Sequence, residues 1–418
     1  MKVCIIAVGS ELLTPFRVDT NSLAITERLN TIGGDVRFKA VVGDDIDELV
    51  RVLQQARQWA DLIAITGGLG PTEDDITRDA VARVLDAPLE TDPQIVESLR
   101  QRFATRGLKM TENNARQALV PRGATVLDNP NGSAPGLWLE QGTTSLLLMP
   151  GPPREMLPML DTVIRERLAP RRGSAGLFRR VLRITGRPES EVDSVAQPIY
   201  SALTRAPVPI ATTILAVLGQ IELHLTASAP NAAVADAALD LAVAQLQEVL
   251  GHSVYSVDGR KLEEVVGELL RKAGWRIAAA ESCSGGLLMS RLTDVPGSSD
   301  YVERGVVCYS NRSKIELAEV PAALIEQHGA VSEPVARAMA EGIRARAGTE
   351  VGIGITGIAG PGGGTTEKPV GTVVVAVSAG DALSVRTFKF FGNRDMVKFQ
   401  SAQAAMNMLR LMLLRRSS

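Results

Sequence analysis

With 418 residues the chain is too long for one ordinary hydrophobic core, so two or three domains are expected. Apolar residues make up 45% and charged residues 22%, an ordinary globular balance, and a net charge of −2 leaves non-specific nucleic-acid binding without compositional support. Three scattered cysteines (Cys4, Cys283, Cys308) form neither a disulfide framework nor a zinc spacing, and three histidines (His224, His252, His328) are too few for a histidine-rich metal site, so a reducing cytoplasm fits best.

The opening KVCIIAVGSELL is apolar but short and carries Glu11, which reads as a strand rather than a signal peptide. Strands are expected at 3–8, 36–42 and 62–65, and helices at 23–29 and around Leu49, Val50, Leu53 and Ala56. Another helix is expected from Thr77, with Asp74 or Asp75 as its N-cap. This βαβαβα order implies a mostly parallel, doubly wound sheet over residues 1–172, with a further strand at 144–149 closed by PGPPREM. PRRGSAG (170–176) reads as a linker. Residues 173–256 then read as a small α+β domain: strand FRRVLRITG, helix ESEVDSVAQPIYSAL, alternating strand IELHLTA and an alanine-rich helix at 232–250. Residues 257–418 alternate again. A helix LEEVVGELLRKAG leads into strand RIAAAE and then SCSGGLL, with later strands at 306–309, EVGIGITG, TVVVAVSAG and SVRTFKFF. Gln403, Asn407 and Arg410 interrupt the C-terminal helix, so it does not span a membrane.

The stretch AITGGLGPTEDDIT (64–77) places glycines and three acids directly after a greasy strand, and ITGIAGP (355–361) repeats the pattern of ITGGLGP (65–71). Such loops are either tight turns that need positive φ or cradles whose exposed amides face a phosphate. Loops at the carboxyl ends of parallel strands share one crevice, and Glu11, Asp44, Asp45, Glu73, Asp74 and Asp75 all follow strand ends. Oxygen ligands of this kind suit a hard divalent ion that bridges phosphates, with Glu11, Asp44, Asp74 and Asp75 the candidates; each acid can equally be a helix cap.

GSELL (9–13), DTNS (19–22), VGDD (42–45), TGGLGPTEDDIT (66–77), NGSAPG (131–136) and LMPGPPREM (148–156) resemble the N-terminal domain of CinA-type proteins, itself similar to the molybdopterin-binding fold. The resemblance implies an ADP-ribose pyrophosphatase giving AMP and ribose 5-phosphate with a divalent metal such as Co2+, Mg2+ or Mn2+. Thr66, Gly67, Gly68, Gly70, Thr72 and Thr77 would hold the ligand. Pterin-binding relatives share the Gly-Gly loop and the Asp-x-Thr of Asp75 and Thr77, so the fold leaves the substrate open.

ESCSGG (281–286) sets Ser282, Cys283 and Ser284 between a strand and a helix, where hydroxyls cap or attack. Tyr309 ends the next strand in VVCYSNRSK and can share a pocket with Ser282. No histidine offers itself as base, so a tyrosine or lysine with a lowered pKa has to serve. Arg394 in GNRDM begins the last helix and can hold a phosphate or make a surface ion pair. AAAESCSGGLL, VPGSS, GVVCYSN, GAVSEPVA, ITGIAGPGGG and EKPVGTV resemble the nicotinamide mononucleotide deamidase domain of the same family, which needs no metal. The match implies Ser282 as nucleophile in preference to Cys283, Tyr309 as the partner that manages its proton, and Ser284, Gly285, Gly286, Thr356, Gly357, Gly360 and Arg394 as ligand-binding residues. The family more often has threonine at the place of Ser284. The middle segment corresponds in position to a KH-like insert, but ITGRPESEV lacks the GXXG clamp, so a structural or homodimer-forming role is expected over nucleic-acid binding. The expected whole is a cytoplasmic bifunctional enzyme acting on two fragments of NAD; the alternatives are a competence or DNA accessory factor and a pterin-binding protein.

Overall fold

The computed structural model describes residues 1–105, 107–171 and 176–417. Most of the expected linker, including the boundary at 172/173, lies outside the described residues. The chain divides into two compact units, Met1–Phe178 with Ala227–Asp236, and Arg179–Thr226 with Ala237–Ser418.

The first unit is built on strands β1 (Lys2–Val8), β2 (Asp35–Val42) and β3 (Leu62–Thr66), with helices α1 (Asn21–Thr31), α2 (Ile46–Arg57) and α3 (Thr77–Leu85) between and after them. Across the six-stranded sheet the order is β2, β1, β3, Thr144–Met149, Gly136–Gln141 and Thr125–Leu127. The first four strands pair in parallel, and Gly136–Gln141 pairs antiparallel with the neighbours on both its sides. Alternate side chains go to opposite cores. Cys4, Ile6, Ile63 and Ile65 pack with Leu49 and Leu53 of α2, while Val3, Ile5, Leu62 and Ala64 pack with Ile25 and Leu29 of α1. Burial on both faces is why these strands are continuous apolar runs, and it forces every polar group they carry to the strand ends. The antiparallel hairpin at 125–141 is absent from the sequence reading, because its first strand is three half-exposed residues with no alternation to detect. Neither Asp74 nor Asp75 caps α3. Its N-cap is Ile76 without a side-chain bond, and Asp75 is spent inside the preceding loop.

A four-stranded sheet, most of whose residues belong to the second unit, has the order Ile210–Val217, Gln220–Ala229, Gly176–Ile184 and Val254–Ser256. A five-stranded sheet has the order Val302–Val307, Ile277–Glu281, Val351–Gly357, Thr372–Ala379 and Ala382–Lys389, the first three parallel. The strand expected at 306–309 starts earlier, at Val302. Its Glu303 and Arg304 break the apolar run because this is an edge strand with half-exposed sides.

The helix Glu333–Ala347 lies directly on the central strand Val351–Gly357. A Cβ on Gly352 would come within 2.1 Å of the Ala340 carbonyl oxygen, and one on Gly354 within 2.3 Å of the Ala336 oxygen. Glycine here is a packing requirement and not a turn signal. Gly354→Ala is therefore expected to destabilise the fold by about 1–3 kcal/mol through overpacking. Gly362→Ala, which would meet nothing within 4 Å, is expected to leave stability unchanged. Paired urea titrations followed by circular dichroism check this, and equal midpoints for both variants would show that the helix is free to lift away.

Candidate functional site

The end of β3 and its loop form the floor of a cavity of about 730 Å3 in the first unit. Gly67 (φ 99°) and Gly68 (φ 66°) turn the chain where no side chain fits. A Cβ at Gly67 would lie 2.2 Å from the Val8 carbonyl oxygen, and one at Gly68 2.3 Å from Thr77 Oγ1. The loop's carbonyls are drawn away from the cavity. Thr77 Oγ1 donates to Gly67 (2.8 Å), and the buried Arg78 guanidinium donates to Leu69 (2.7 Å) and Gly70 (2.6 Å). Burial lowers the Arg78 pKa to about 10, against the opposing pull of Asp75 and Asp79. The N–H groups of Gly68 and Leu69, which line the cavity, have no hydrogen-bond partner among the described residues. Carbonyls tied back with amides left free make the anion-binding polarity that glycine loops can supply.

The predicted ligand residues divide. Thr66, Gly67, Gly68 and Gly70 line the cavity, but Thr66 Oγ1 is committed, donating to the Pro150 carbonyl and accepting from Asn21. Thr77 is fully buried and Thr72 donates to Asp75, so these two build the loop and do not face the cavity. The four predicted metal acids, Glu11, Asp44, Asp74 and Asp75, all line it. Asp75 is the correction among them: its carboxylate accepts from Gly70 N (2.7 Å), Thr72 N (2.9 Å) and Thr72 Oγ1 (2.6 Å), which makes it the loop's internal strut. Asp44 exchanges bonds with Ser10, Ser10 N donating to its Oδ2 (3.0 Å) and its own N–H to Ser10 Oγ (2.9 Å). Asp45 caps α2. The carboxylates of Glu11 and Asp74 have no polar partner among the described residues. Among the described residues no group of three or more His, Cys, Asp or Glu is gathered to hold a metal. The arrangement fits an ion such as Mg2+ that takes one or two carboxylates and completes its shell with water and the ligand's phosphates; it does not fit an all-protein cage.

Glu155 is an acid that the sequence reading missed. Its side chain is 10% exposed in the same cavity wall, and its Oε2 accepts from Asn129 Nδ2 (2.9 Å). The signal was present in LMPGPPREM, but a glutamate in the first turn of a helix reads as an ordinary helix-dipole partner.

The second constellation follows the fully buried strand Ile277–Glu281. Glu281 is itself buried, and its carboxylate accepts from the N–H groups of Gly286 (3.1 Å), Leu288 (3.1 Å) and Met289 (3.0 Å), fixing the loop that carries Ser282. Ser282 N donates to the Ile355 carbonyl, which pins the loop to the central strand. Ser282 Oγ accepts from Lys314 Nζ at 3.1 Å. Lys314 stands on the helix Asn311–Ala318, whose N-cap Ser310 accepts from Ser313 N, and it is 2% exposed. Its other contacts are the carbonyls of Cys308 (3.0 Å) and Tyr309 (3.4 Å), and no carboxylate pairs with it among the described residues. Burial lowers the Lys314 pKa below the ordinary lysine value. The same burial pushes the Cys283 thiol up to about 11 and raises that of Cys308, so neither is a thiolate near neutrality.

Lys314 was inside the quoted VVCYSNRSK and was not singled out, because a lysine one turn into a helix reads as solvated surface. The hydrogen-bond partner of Ser282 Oγ in the structure is Lys314, and no bond joins it to the Tyr309 hydroxyl. That hydroxyl is on an exposed side chain and accepts from Arg394 Nη2 (2.8 Å). Arg394 Nη1 donates to the Gly360 carbonyl (2.7 Å), joining Tyr309 to the glycine-rich loop. Ser284 is fully buried with an unpartnered hydroxyl. Gly285 (φ 64°) and Gly286 (φ 90°) make the turn into the next helix. Thr356 differs from its expected role, since its buried Oγ1 donates to the Ala330 carbonyl. Gly357 is a packing glycine, where a Cβ would lie 2.7 Å from Val373 and 2.9 Å from Cys283 Sγ.

Residues 4–170 match the model of the probable molybdopterin binding domain, and residues 259–413 that of the CinA C-terminal domain. A CinA-like protein of Koribacter versatilis is 45% identical over 414 residues, 98% of this chain and 99% of its own. A putative competence-damage inducible protein of Moorella thermoacetica is 41% identical over 97% of both chains. The crystal structure of a CinA protein of unknown function from Thermoplasma acidophilum is 31% identical and covers 40% of this chain and 98% of its own, with a TM-score of 0.38. With both domain matches in order and similarity running end to end, the chain belongs to the CinA family.

Proposed function

We propose that the chain is a two-site hydrolase. The Ser282–Lys314 site deamidates nicotinamide mononucleotide to nicotinate mononucleotide and ammonia, and the N-terminal cavity cleaves ADP-ribose to AMP and ribose 5-phosphate with a divalent metal. The observation that carries the reading is the buried Lys314 amine on Ser282 Oγ with no counter-charge beside it.

A lysine desolvated among neutral groups favours the free amine, and the free amine is a base. As Ser282 Oγ attacks the carboxamide carbon, its proton passes to Lys314 Nζ. The C–O bond forms and the carbonyl becomes an oxyanion. Lys314 then returns that proton to the amide nitrogen, the C–N bond breaks, and ammonia leaves an ester on Ser282. Water attacks the ester carbon, giving one proton to Lys314; the ester C–O bond breaks and Ser282 Oγ recovers the proton. The Cys308 and Tyr309 carbonyls hold the amine in place throughout. Arg394 has no carboxylate partner among the described residues and keeps N–H donors for a phosphate beyond those given to Tyr309 and Gly360.

In the N-terminal cavity, Glu11, Asp74 and the second oxygen of Asp44 would hold the metal, which supplies charge neutralisation at the diphosphate. The free N–H groups of Gly68 and Leu69 bind phosphate oxygens. Asp75 keeps the loop in shape, and Glu155 is placed to accept a proton from water at the cavity wall. Pterin binding in the same cavity is a second reading, favoured by the domain match over residues 4–170.

Ser282→Ala is expected to lower ammonia release from nicotinamide mononucleotide by about 10³-fold or more, and Lys314→Met by about 10²–10⁴-fold. Cys283→Ala should change little. A coupled ammonia assay reads all three, and full turnover by Lys314→Met would remove the lysine from the mechanism.

Because the base must be uncharged, kcat/KM should rise with pH along a limb whose midpoint lies below the ordinary lysine value; in Lys314→Met that limb should vanish. A pH–rate profile of the wild-type chain that stays flat would contradict the assignment.

Glu11→Gln combined with Asp74→Asn is expected to abolish AMP formation from ADP-ribose while ammonia release continues, and EDTA should do the same. AMP formed at the wild-type rate by the double variant, or a chain that binds a pterin but never cleaves ADP-ribose, would shift the cavity to the second reading.

A further inference from the structure

The second unit holds a larger cavity that neither proposed activity uses, about 870 Å3. Four walls meet there. One is the loop from Thr185 to Glu189, the ITGRPE stretch that lacks a nucleic-acid clamp. The second is the edge strand Ala382–Lys389 with Phe390, the third is the middle of the long helix Arg394–Ser417, and the fourth is the turn from Ala216 to Ile221 with His252 and Ser253. The helix wall carries Gln403, whose Oε1 accepts from Arg291 Nη2 (2.8 Å) and whose Nε2, without a hydrogen-bond partner, is enclosed and not reached from the cavity. One turn further on, Asn407 Oδ1 accepts two bonds from Arg410, so its Nδ2 is a donor, 3.3 Å from where a Cβ on Gly186 would sit. From the strand wall come Arg386 and Lys389, both exposed and without a polar partner among the described residues. The acid of the lining is Glu189, at the exposed mouth. Phe388 and Phe390 stack at 5.2 Å with 10° between their planes, giving the cavity a flat aromatic surface beside the cations.

The half-buried Asn407 amide has its donor side uncommitted, and it is matched by an acceptor-rich guest. Two cations add the sign of that guest's charge, and the aromatic surface adds a preference for a flat ring. The volume is that of a small-molecule pocket. We propose that this cavity binds a phosphate-bearing mononucleotide, the phosphate taken by Asn407, Arg386 and Lys389 and the base by the Phe388–Phe390 face. The site is separate from Ser282 and from the N-terminal cavity, and it stands whether or not either proposed activity is found.

Hydrogen–deuterium exchange on the full chain tests it locally, with AMP, adenosine and inorganic phosphate as separate probes. AMP is expected to protect peptides spanning 184–190 and 400–411. Adenosine or phosphate alone should reach the same protection only at concentrations at least tenfold higher. Arg386→Glu with Lys389→Glu, both on exposed positions, should raise the AMP concentration needed at 400–411 about tenfold and leave any response at 66–75 unchanged. The milder Arg386→Gln with Lys389→Gln should fall between the two. No AMP-dependent protection at 400–411 in the wild-type chain would overturn the proposal. So would protection unaltered by both double variants, or phosphate matching AMP at equal concentration.

Discussion

The chemistry proposed for the second unit depends on one placement: a lysine amine buried with no carboxylate partner among the described residues. Lys314 has two backbone carbonyls and a serine hydroxyl around its nitrogen, and no carboxylate. Three oxygens satisfy three N–H bonds when it is charged, but they offer only dipoles against the cost of desolvation. The neutral amine is better matched, donating twice to the carbonyls and accepting once from the serine. The fold enforces this by taking Ser282 from the end of one strand and Lys314 from the helix after its neighbour, so that parallel pairing of Ile277–Glu281 with Val302–Val307 brings them together. Glu281 ties the loop down through three backbone N–H groups and makes no bond to Lys314.

The first unit solves a different problem. Its cavity is open, and its acids are mostly exposed and cost little to leave unpaired in water. Order comes from the loop beneath them, whose carbonyls are pulled inward by Arg78 and Thr77 while Asp75 gathers N–H groups from the same turn. The echo between ITGGLGP and ITGIAGP has a shared physical basis. Each loop follows a buried strand, and in each an arginine donates to a loop carbonyl: Arg78 to Leu69 and Gly70 in the first, Arg394 to Gly360 in the second.

Much of this was legible in the chain itself. Parallel strands buried on both faces are written as uninterrupted apolar runs, and topology then gathers the strand-end loops, which is how Glu11, Asp44, Asp74 and Asp75 could be expected on one edge. Individual roles were less legible, because residue type does not say where an oxygen's bonds go. Asp74 and Asp75 are neighbours of one type, yet one is unpartnered and the other is consumed by its loop. Thr77 and Thr356 looked like ligand hydroxyls and are instead ties to carbonyls. Lys314 and Glu155 were hidden for the opposite reason. Charged residues early in helices are common on surfaces, and only burial sets these two apart.

The molybdopterin-binding-like match does not decide between a pterin and a diphosphate, because the glycine loop offers the same amides to either. The discriminating groups are those the loop does not need. A cavity evolved only to grip a preformed anionic cofactor gains from cations, since each carboxylate facing a phosphate repels it. Here the carboxylates of Glu11 and Asp74 line the cavity without partners among the described residues, Glu155 stands in its wall, Arg17 is the cation of the lining, and Arg78 is turned away into the loop. Such a lining repels a bare diphosphate and becomes attractive once a divalent ion sits between acid and phosphate. Excess carboxylate over cation is therefore the feature that favours metal-assisted cleavage over simple binding.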